Sequence, residues 1–282
     1  MSEVIDVSFA CGSYAGYLAG AGVRTVIRYY SRDTGHPEKR LTRPEASTFA
    51  AAGLRLAVVH EAKFGDRIGS FDQDLGELDA KYAHDYAASV ISQPANSAIY
   101  FGVDVDASAA QIRDRIIPYF QGVASTFNAV ASPSYQVGVY GSGATCDAVL
   151  SAGLARYAWL AQSTGWAGYR QFLQSKRWAL SQAMPAKIGE LSCDPDQANG
   201  VFGDFFPAAA PNADAGISQV KVMARNGLRL RAGPGNDFDV LRLLPKGTTV
   251  RALKSTGDWT LVDLAGDGAS DGFVNSHFVA PV

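Results

Sequence analysis

The sequence predicts an α/β protein, a (β/α)8 barrel of TIM type followed by a small all-β barrel. Three observations carry that expectation. Up to about Phe206, short β-branched or aromatic runs alternate with longer stretches of helical period, as parallel β/α units do. Eight such runs can be counted, the number that closes a TIM-type barrel. Beyond a stretch rich in proline and alanine, short alternating runs separated by glycine turns replace the helical periods.

The predicted strands cover 4–8, 25–30, 54–61, 98–104, 136–140, 157–162, 177–182 and 189–194. Between the second and third, Thr42-Arg43-Pro44-Glu45 has the form of a capping box with proline in the first turn. A helix is expected from there to Ala52, ended by Gly53. The segments 72–92 and 109–130 are long enough for crossover helices. They carry Leu75, Leu78, Tyr82 and Ile112, Ile116, Phe120 at helical spacing. From Pro207 to Ile217 the sequence PAAAPNADAGI has no periodicity and reads as an exposed tether. The organisation expected is therefore a barrel over 1–206, a linker over 207–217 and a small antiparallel barrel over 218–282.

Composition narrows the functional classes. With 47% hydrophobic residues and 29 glycines in 282, the chain has the apolar surface for a real core and many tight turns. A formal charge of −2 and no run of lysine or arginine argue against a nucleic-acid partner. No stretch reaches the roughly 20 apolar residues of a membrane span. The acidic start (Glu3, Asp6) lacks the basic region of a signal peptide. Cys11, Cys146 and Cys193 show no CxxC spacing and read as free, buried thiols. The 4 histidines form no HxH or HExxH pattern, so neither a metal nor another cofactor is called for.

Acids at strand ends carry the chemistry. Tyr100-Phe101-Gly102-Val103-Asp104-Val105-Asp106 ends an apolar run with two carboxylates at the barrel face where substrates bind. The pattern recurs at Asp6, at Glu61 and at Asp194-Pro195-Asp196. Glycosidic cleavage needs one carboxyl to protonate the leaving oxygen and a second group to activate water or stabilise an oxocarbenium-like transition state. Crowded carboxylates keep one another protonated towards neutral pH. Asp106 and Asp196 also fit an alternative role as helix N-caps. Arg28, Tyr140, Gln162 and Gln182 sit at other strand ends and suit sugar hydroxyls and acetamido groups. Trp159, Trp166 and Trp178 are either stacking faces or core residues. A rival chemistry, with Cys11 or Cys193 as nucleophile and His60 as base, has no local motif behind it.

The first 206 residues resemble the glycoside-hydrolase-like domain of bacterial and phage proteins that is related to the family 25 muramidases. The likeness is carried by Ile5-Asp6, Arg28-Tyr29-Tyr30, the unit from Leu41-Thr42 to Gly53-Leu54, Ile99 to Asp106, Gly138-Val139-Tyr140-Gly141-Ser142, Trp159-Leu160-Ala161-Gln162 and Asp194. Family 25 muramidases carry Asp-x-Glu on the middle strand, with the glutamate as proton donor. This chain has Asp106 there, so the resemblance leaves the donor open between Asp106 and Glu61. The tail resembles bacterial SH3-like domains through Gly227-Leu228-Arg229-Leu230-Arg231-Ala232-Gly233-Pro234-Gly235, Leu244-Pro245-Lys246-Gly247, Asp258-Trp259 and Gly272-Phe273-Val274. Such domains hold enzymes on peptidoglycan. Together the resemblances imply a wall-directed muramidase-type hydrolase with Glu61, Asp104, Asp106 and Asp6 as catalytic acids. Arg28, Tyr140, Trp159, Gln162, Gln182 and Asp194 are then expected at the substrate, and the site of action is extracellular, periplasmic or in the wall. A catalytically silent wall-binding protein, a toxin or a phage lysin are the alternatives.

Overall fold

A computed structural model describes residues 3–31, 37–61, 65–130, 132–207, 218–264 and 270–282. The linker expected over 207–217 lies outside the described residues except for Pro207. Seven parallel strands, β1 (Val4–Asp6), β2 (Thr25–Tyr29), β3 (Arg55–His60), β4 (Ala98–Gly102), β5 (Gln136–Gly141), β6 (Tyr157–Leu160) and β7 (Leu180–Gln182), stand side by side in chain order. A short β8 (Ala186–Ile188) forms a hairpin with β9 (Leu191–Ala198). β9 in turn pairs with both β7 and β1 and closes an eight-stranded barrel.

The closing strand corrects one expectation. β9 runs antiparallel to both neighbours, with Asp6 opposite Asp194 and Val4 opposite Asp196. Too few residues separate Gln182 from Leu191 for the crossover of a dozen or more that parallel pairing needs. The chain instead turns back at Gly189, whose φ of 61° is a left-handed turn conformation. Asp194 therefore reaches the barrel end where the parallel strands finish near the beginning of its own strand, not at its end.

The helices follow the capping chemistry. Thr42 caps Arg43–Ala51 by accepting from the Glu45 backbone N–H (3.3 Å), and Asp72 caps Gln73–Asp85 by accepting from Leu75 (2.8 Å). The second half of the capping box is not made, because the Glu45 carboxylate is turned to other donors. The expected helix over 72–92 passes into a π-helical turn at Tyr86–Ile91, and that over 109–130 contains another at Ile112–Ile116 before Ile117–Ala129.

Strand period two gives the barrel two apolar environments. Inside it are Val4, Ile27, Ala57, Val59, Tyr100, Trp159 and Leu180. Outside, against the helices, are Ile5, Val26, Leu56, Val58, Ile99, Phe101, Val139 and Leu160. The lower end is sealed by the segment after β9: Phe202 enters the interior, its carbonyl accepts from the Tyr100 hydroxyl (2.8 Å), and Phe205 bridges Leu56. The second unit is an antiparallel sheet of seven strands, β10 (Ser218–Val222), β11 (Leu228–Arg231), β12 (Val240–Leu244), β13 (Thr249–Thr256), β14 (Trp259–Asp263), β15 (Gly272–Asn275) and β16 (Val279–Pro281). It has its own core of Val220, Val222, Leu228, Leu230, Leu244, Val250, Val262 and Val274.

Inside the first barrel, Gly138 makes room for the Tyr100 ring, since a Cβ there would lie 2.4 Å from it. Gly138→Ala is expected to cost about 1–3 kcal/mol through overpacking, measured by urea denaturation of the full chain.

Candidate active site

The upper end of the barrel opens into a cavity of about 380 Å³. Asp6 of β1, Tyr29 of β2, Tyr140 of β5, Trp159 of β6 and Gln182 of β7 line it from the barrel interior. Glu61, Asp104, Gln162 and Asp194 join them, with Lys39 and Phe9 at the rim. Inward parity selects Asp6, Tyr29, Glu61, Asp104, Tyr140 and Gln182, each an even number of residues from an interior position of its strand or that strand's direct extension, whereas Gln162, Lys39 and Phe9 enter from outside the strands.

Gln182 is the hub of the polar network. Its amide nitrogen donates to Asp6 Oδ2 (2.7 Å) and Asp194 Oδ2 (3.4 Å). Its oxygen accepts from the Tyr140 hydroxyl (3.1 Å) and the Gln162 backbone N–H (3.4 Å). The Tyr29 hydroxyl donates to the other Asp6 oxygen (3.3 Å). Below this layer Trp159 donates from Nε1 to Asp196 Oδ1 (2.7 Å) and packs edge-on to Tyr140. Trp159 thus forms the floor of the cavity and is 1% exposed, whereas Phe9 at the rim is 38% exposed.

Four carboxyls on the cavity hold their protons more strongly than usual. Burial is the main cause for each. Asp6 is pushed up to about 7, with Asp194 and Glu61 adding to the effect while the Gln182 and Tyr29 hydrogen bonds oppose it. Glu61 and Asp104 are raised against the pull of Lys39, with Asp66 adding repulsion to both. Lys39 Nζ lies 3.4 Å from Glu61 Oε2 and 5.3 Å from the Tyr29 ring centre. Burial also raises the innermost acid, Asp196.

Two of the expected site residues stand elsewhere. Arg28 has the parity of Val26 and points out of the barrel, where it is fully buried and paired with Glu45 through Nε and Nη2 at 3.1 Å each. Asp106 is exposed beyond the cavity and accepts from the Ala167 backbone N–H (2.9 Å), so it braces the loop after β6. Trp166 and Trp178 do not line the cavity, and Trp178 is a core residue with its indole on the Leu173 carbonyl. Tyr29, Lys39 and Phe9 line the cavity and Asp66 acts on its acids, in addition to the residues expected there. Parity would have found Tyr29, because it follows Arg28 on a strand whose other face is apolar. Lys39, Asp66 and Phe9 sit in loops and carry no periodic signal.

The cysteine alternative does not match the geometry. All three cysteines are buried and outside any disulfide, with burial pushing Cys11 up to about 12 and Cys193 up to about 11. His60 faces away from the cavity. Its Nδ1 meets the Tyr30 carbonyl at 2.7 Å and its Nε2 lies 3.2 Å from Asp79 Oδ1, both side chains fully buried. Among the described residues no group of three His, Cys, Asp or Glu side chains is arranged to hold a metal ion.

The fold and its carboxylate-lined mouth define a glycoside-hydrolase-like barrel joined to a small β module. The family model for the Rv2525c-like, glycoside hydrolase-like domain matches residues 17–198, and the chain belongs to that family. A model of the bacterial SH3 domain matches residues 226–280. The chain is 34% identical over 184 residues to the uncharacterized protein YbfG of Bacillus subtilis (strain 168), and 29% identical over 177 residues to FadG of the same organism. Each match covers 62% of this chain but only 25% and 30% of the respective relatives, so the chain spans under a third of their length. The crystal structure of the Tat-secreted protein Rv2525c of Mycobacterium tuberculosis in complex with HEPES shares the barrel fold. It superposes with a TM-score of 0.59 at 23% identity, over 71% of this chain and 97% of that one.

Two outcomes are expected from this geometry. Arg28→Ala strands the Glu45 carboxylate in the core and should cost about 3–5 kcal/mol of stability in chemical denaturation, the cost of breaking a buried pair. Asp6 is protonated more readily folded than unfolded. Its contribution to stability is therefore full at low pH and drains away as pH rises from the ordinary 3.8 towards about 7. Asp6→Asn should flatten that decline when unfolding free energies are compared across the interval.

Proposed function

We propose that the barrel is a glycoside hydrolase acting on peptidoglycan, of muramidase type, and that the second module holds it on the wall. The observation that carries this reading is an open cavity holding Asp6, Glu61, Asp104 and Asp194 together, with Lys39 acting on both Glu61 and Asp104. Glu61 is the proton donor: burial and Asp104 strengthen its hold on a proton against the pull of Lys39, and its side chain is 25% exposed and within reach of a ligand. Asp104, exposed at the mouth, stabilises the developing positive charge or activates water. The bond between the anomeric carbon and the leaving oxygen breaks. The oxygen takes the Glu61 proton, and water delivers hydroxide to carbon while its remaining proton passes to a carboxylate. Asp6, Asp194, Gln182 and Tyr140 orient the sugar and its acetamido group, which can itself serve as the internal nucleophile. Phe9 offers an exposed aromatic face for a sugar ring at the rim.

The second module supports a wall-directed reading through its match to bacterial SH3 domains. It also carries a groove of about 570 Å³ between Arg229, Trp259, Asn275 and Phe278. Action outside the cytoplasm, in the wall, follows from that substrate. Among the described residues no helix is long and apolar enough to cross a membrane.

With purified peptidoglycan, Glu61→Gln and Asp104→Asn should each lower the release of reducing ends by about 100-fold or more, while Asp106→Asn stays near wild type. The position of Asp106 away from the cavity also favours a second reading, a wall-binding protein without turnover. Sedimentation with walls in the absence of any new reducing ends would establish that reading and remove the first.

A further inference from the structure

The second module meets the first at the segment that delivers Lys39. The loop between β11 and β12 is braced for contact. Arg231 Nη1 donates to the carbonyls of Asn236 (3.0 Å) and Phe238 (2.7 Å), and the Ala232 N–H donates to the Asp239 carbonyl (3.0 Å). Gly233 is required there, since a Cβ would lie 2.1 Å from the Phe238 ring. So held, Phe238 packs on Tyr82 with ring centres 4.7 Å apart and is 4% exposed. Asp239 Oδ2 meets Arg40 Nη2 at 3.0 Å.

Both contacts bear on one short stretch of barrel chain. The Tyr82 hydroxyl donates to the Ser31 carbonyl (3.3 Å), just after β2. Arg40 bridges back beside Tyr29, and the Leu41 N–H donates to the Tyr29 carbonyl (2.9 Å). Lys39, one residue before Arg40, is the residue that reaches Glu61. Arg40 is only 6% exposed, so Asp239 supplies the countercharge for a nearly buried guanidinium.

We propose that Asp239 of the second module is a positioning residue for the barrel cavity: by anchoring Arg40 it holds Lys39 against Glu61, so docking of the second module sets the charge around that carboxyl. From the functional reading this takes only the membership of Glu61 in the site. Among the described residues, the charged or titratable groups that face Glu61 are Lys39 from the 37–39 turn, Asp104 and Asp66 from the loops after β4 and β3, Asp6 from β1, and the hydroxyls of Tyr29 and Tyr140. Lys39 is the one cation in this set. Withdrawing it removes the attraction that favours the charged carboxylate.

The test is a carboxyl NMR titration of Glu61 in the full chain, with amide exchange followed over 38–41. Lys39→Gln and Asp239→Asn should each move the Glu61 midpoint upward, the double variant should move it no further, and Asp239→Glu should restore it. Phe238→Leu, which loosens the same docking without changing a charge, should give an upward shift too. Exchange over 38–41 should quicken by about tenfold in Asp239→Asn while the β4 and β5 amides keep their rates. A Glu61 midpoint that moves in Lys39→Gln but not in Asp239→Asn or Phe238→Leu overturns the proposal, even if the variants melt earlier. So does a double variant whose shifts add in full, or a midpoint that moves in neither. Absence of hydrolysis leaves each of these readouts intact and bears on the functional reading alone.

Discussion

Closure of the barrel between β1 and β9 sets Asp6 directly across from Asp194, and the arrangement of the cavity follows from holding that pair. Two carboxyls so placed in a half-enclosed space repel unless one keeps its proton or donors surround them. Both remedies are present. The Gln182 amide reaches both acids, the Tyr29 hydroxyl reaches Asp6, and Asp6 is raised to about 7. Gln182 can serve in this way because its own oxygen is held by Tyr140 and the Gln162 N–H, which fixes which end of the carboxamide faces the acids.

Buried polar groups on the outer faces of the same strands do different work. Arg28 with Glu45, and His60 with Asp79, lie between strands and helices with no access to the cavity. Glu45 also accepts from the Cys11 N–H (2.8 Å), so one carboxylate ties β2, the chain after β1 and the helix Arg43–Ala51 together. Such pairs cost desolvation and are harmful when halved, which makes them determinants of packing rather than signs of chemistry. A strand of the barrel therefore alternates residues for the site with residues for the scaffold.

The cavity floor and rim divide labour in a similar way. Tyr100, Phe202 and Trp159 close the interior below, where Asp196 is held by the Trp159 indole. Above, Lys39 brings a positive charge from a loop that a second folded unit touches through Arg40. Glu61 thus takes its place from strand register and its charged neighbours from the segments that follow the strands.

Much of this was legible in the sequence. Local periodicity marked the strands and the main helices, capping residues marked helix starts, and acids ending apolar runs marked Asp6, Glu61, Asp104 and Asp194. These signals survive because burial on a strand or helix imposes a period that residue types must follow. The sequence did not separate Arg28 from Tyr29, or Asp104 from Asp106, because facing depends on strand phase and on where the strand stops. Nor did it reveal that the last strand runs backwards, although the short interval after Gln182 carried that information. Lys39 at Glu61, Asp239 at Arg40 and the four partners of Gln182 were decided by tertiary structure alone. These contacts join residues far apart in the chain, and no local rule of spacing constrains groups that meet only once the barrel has closed.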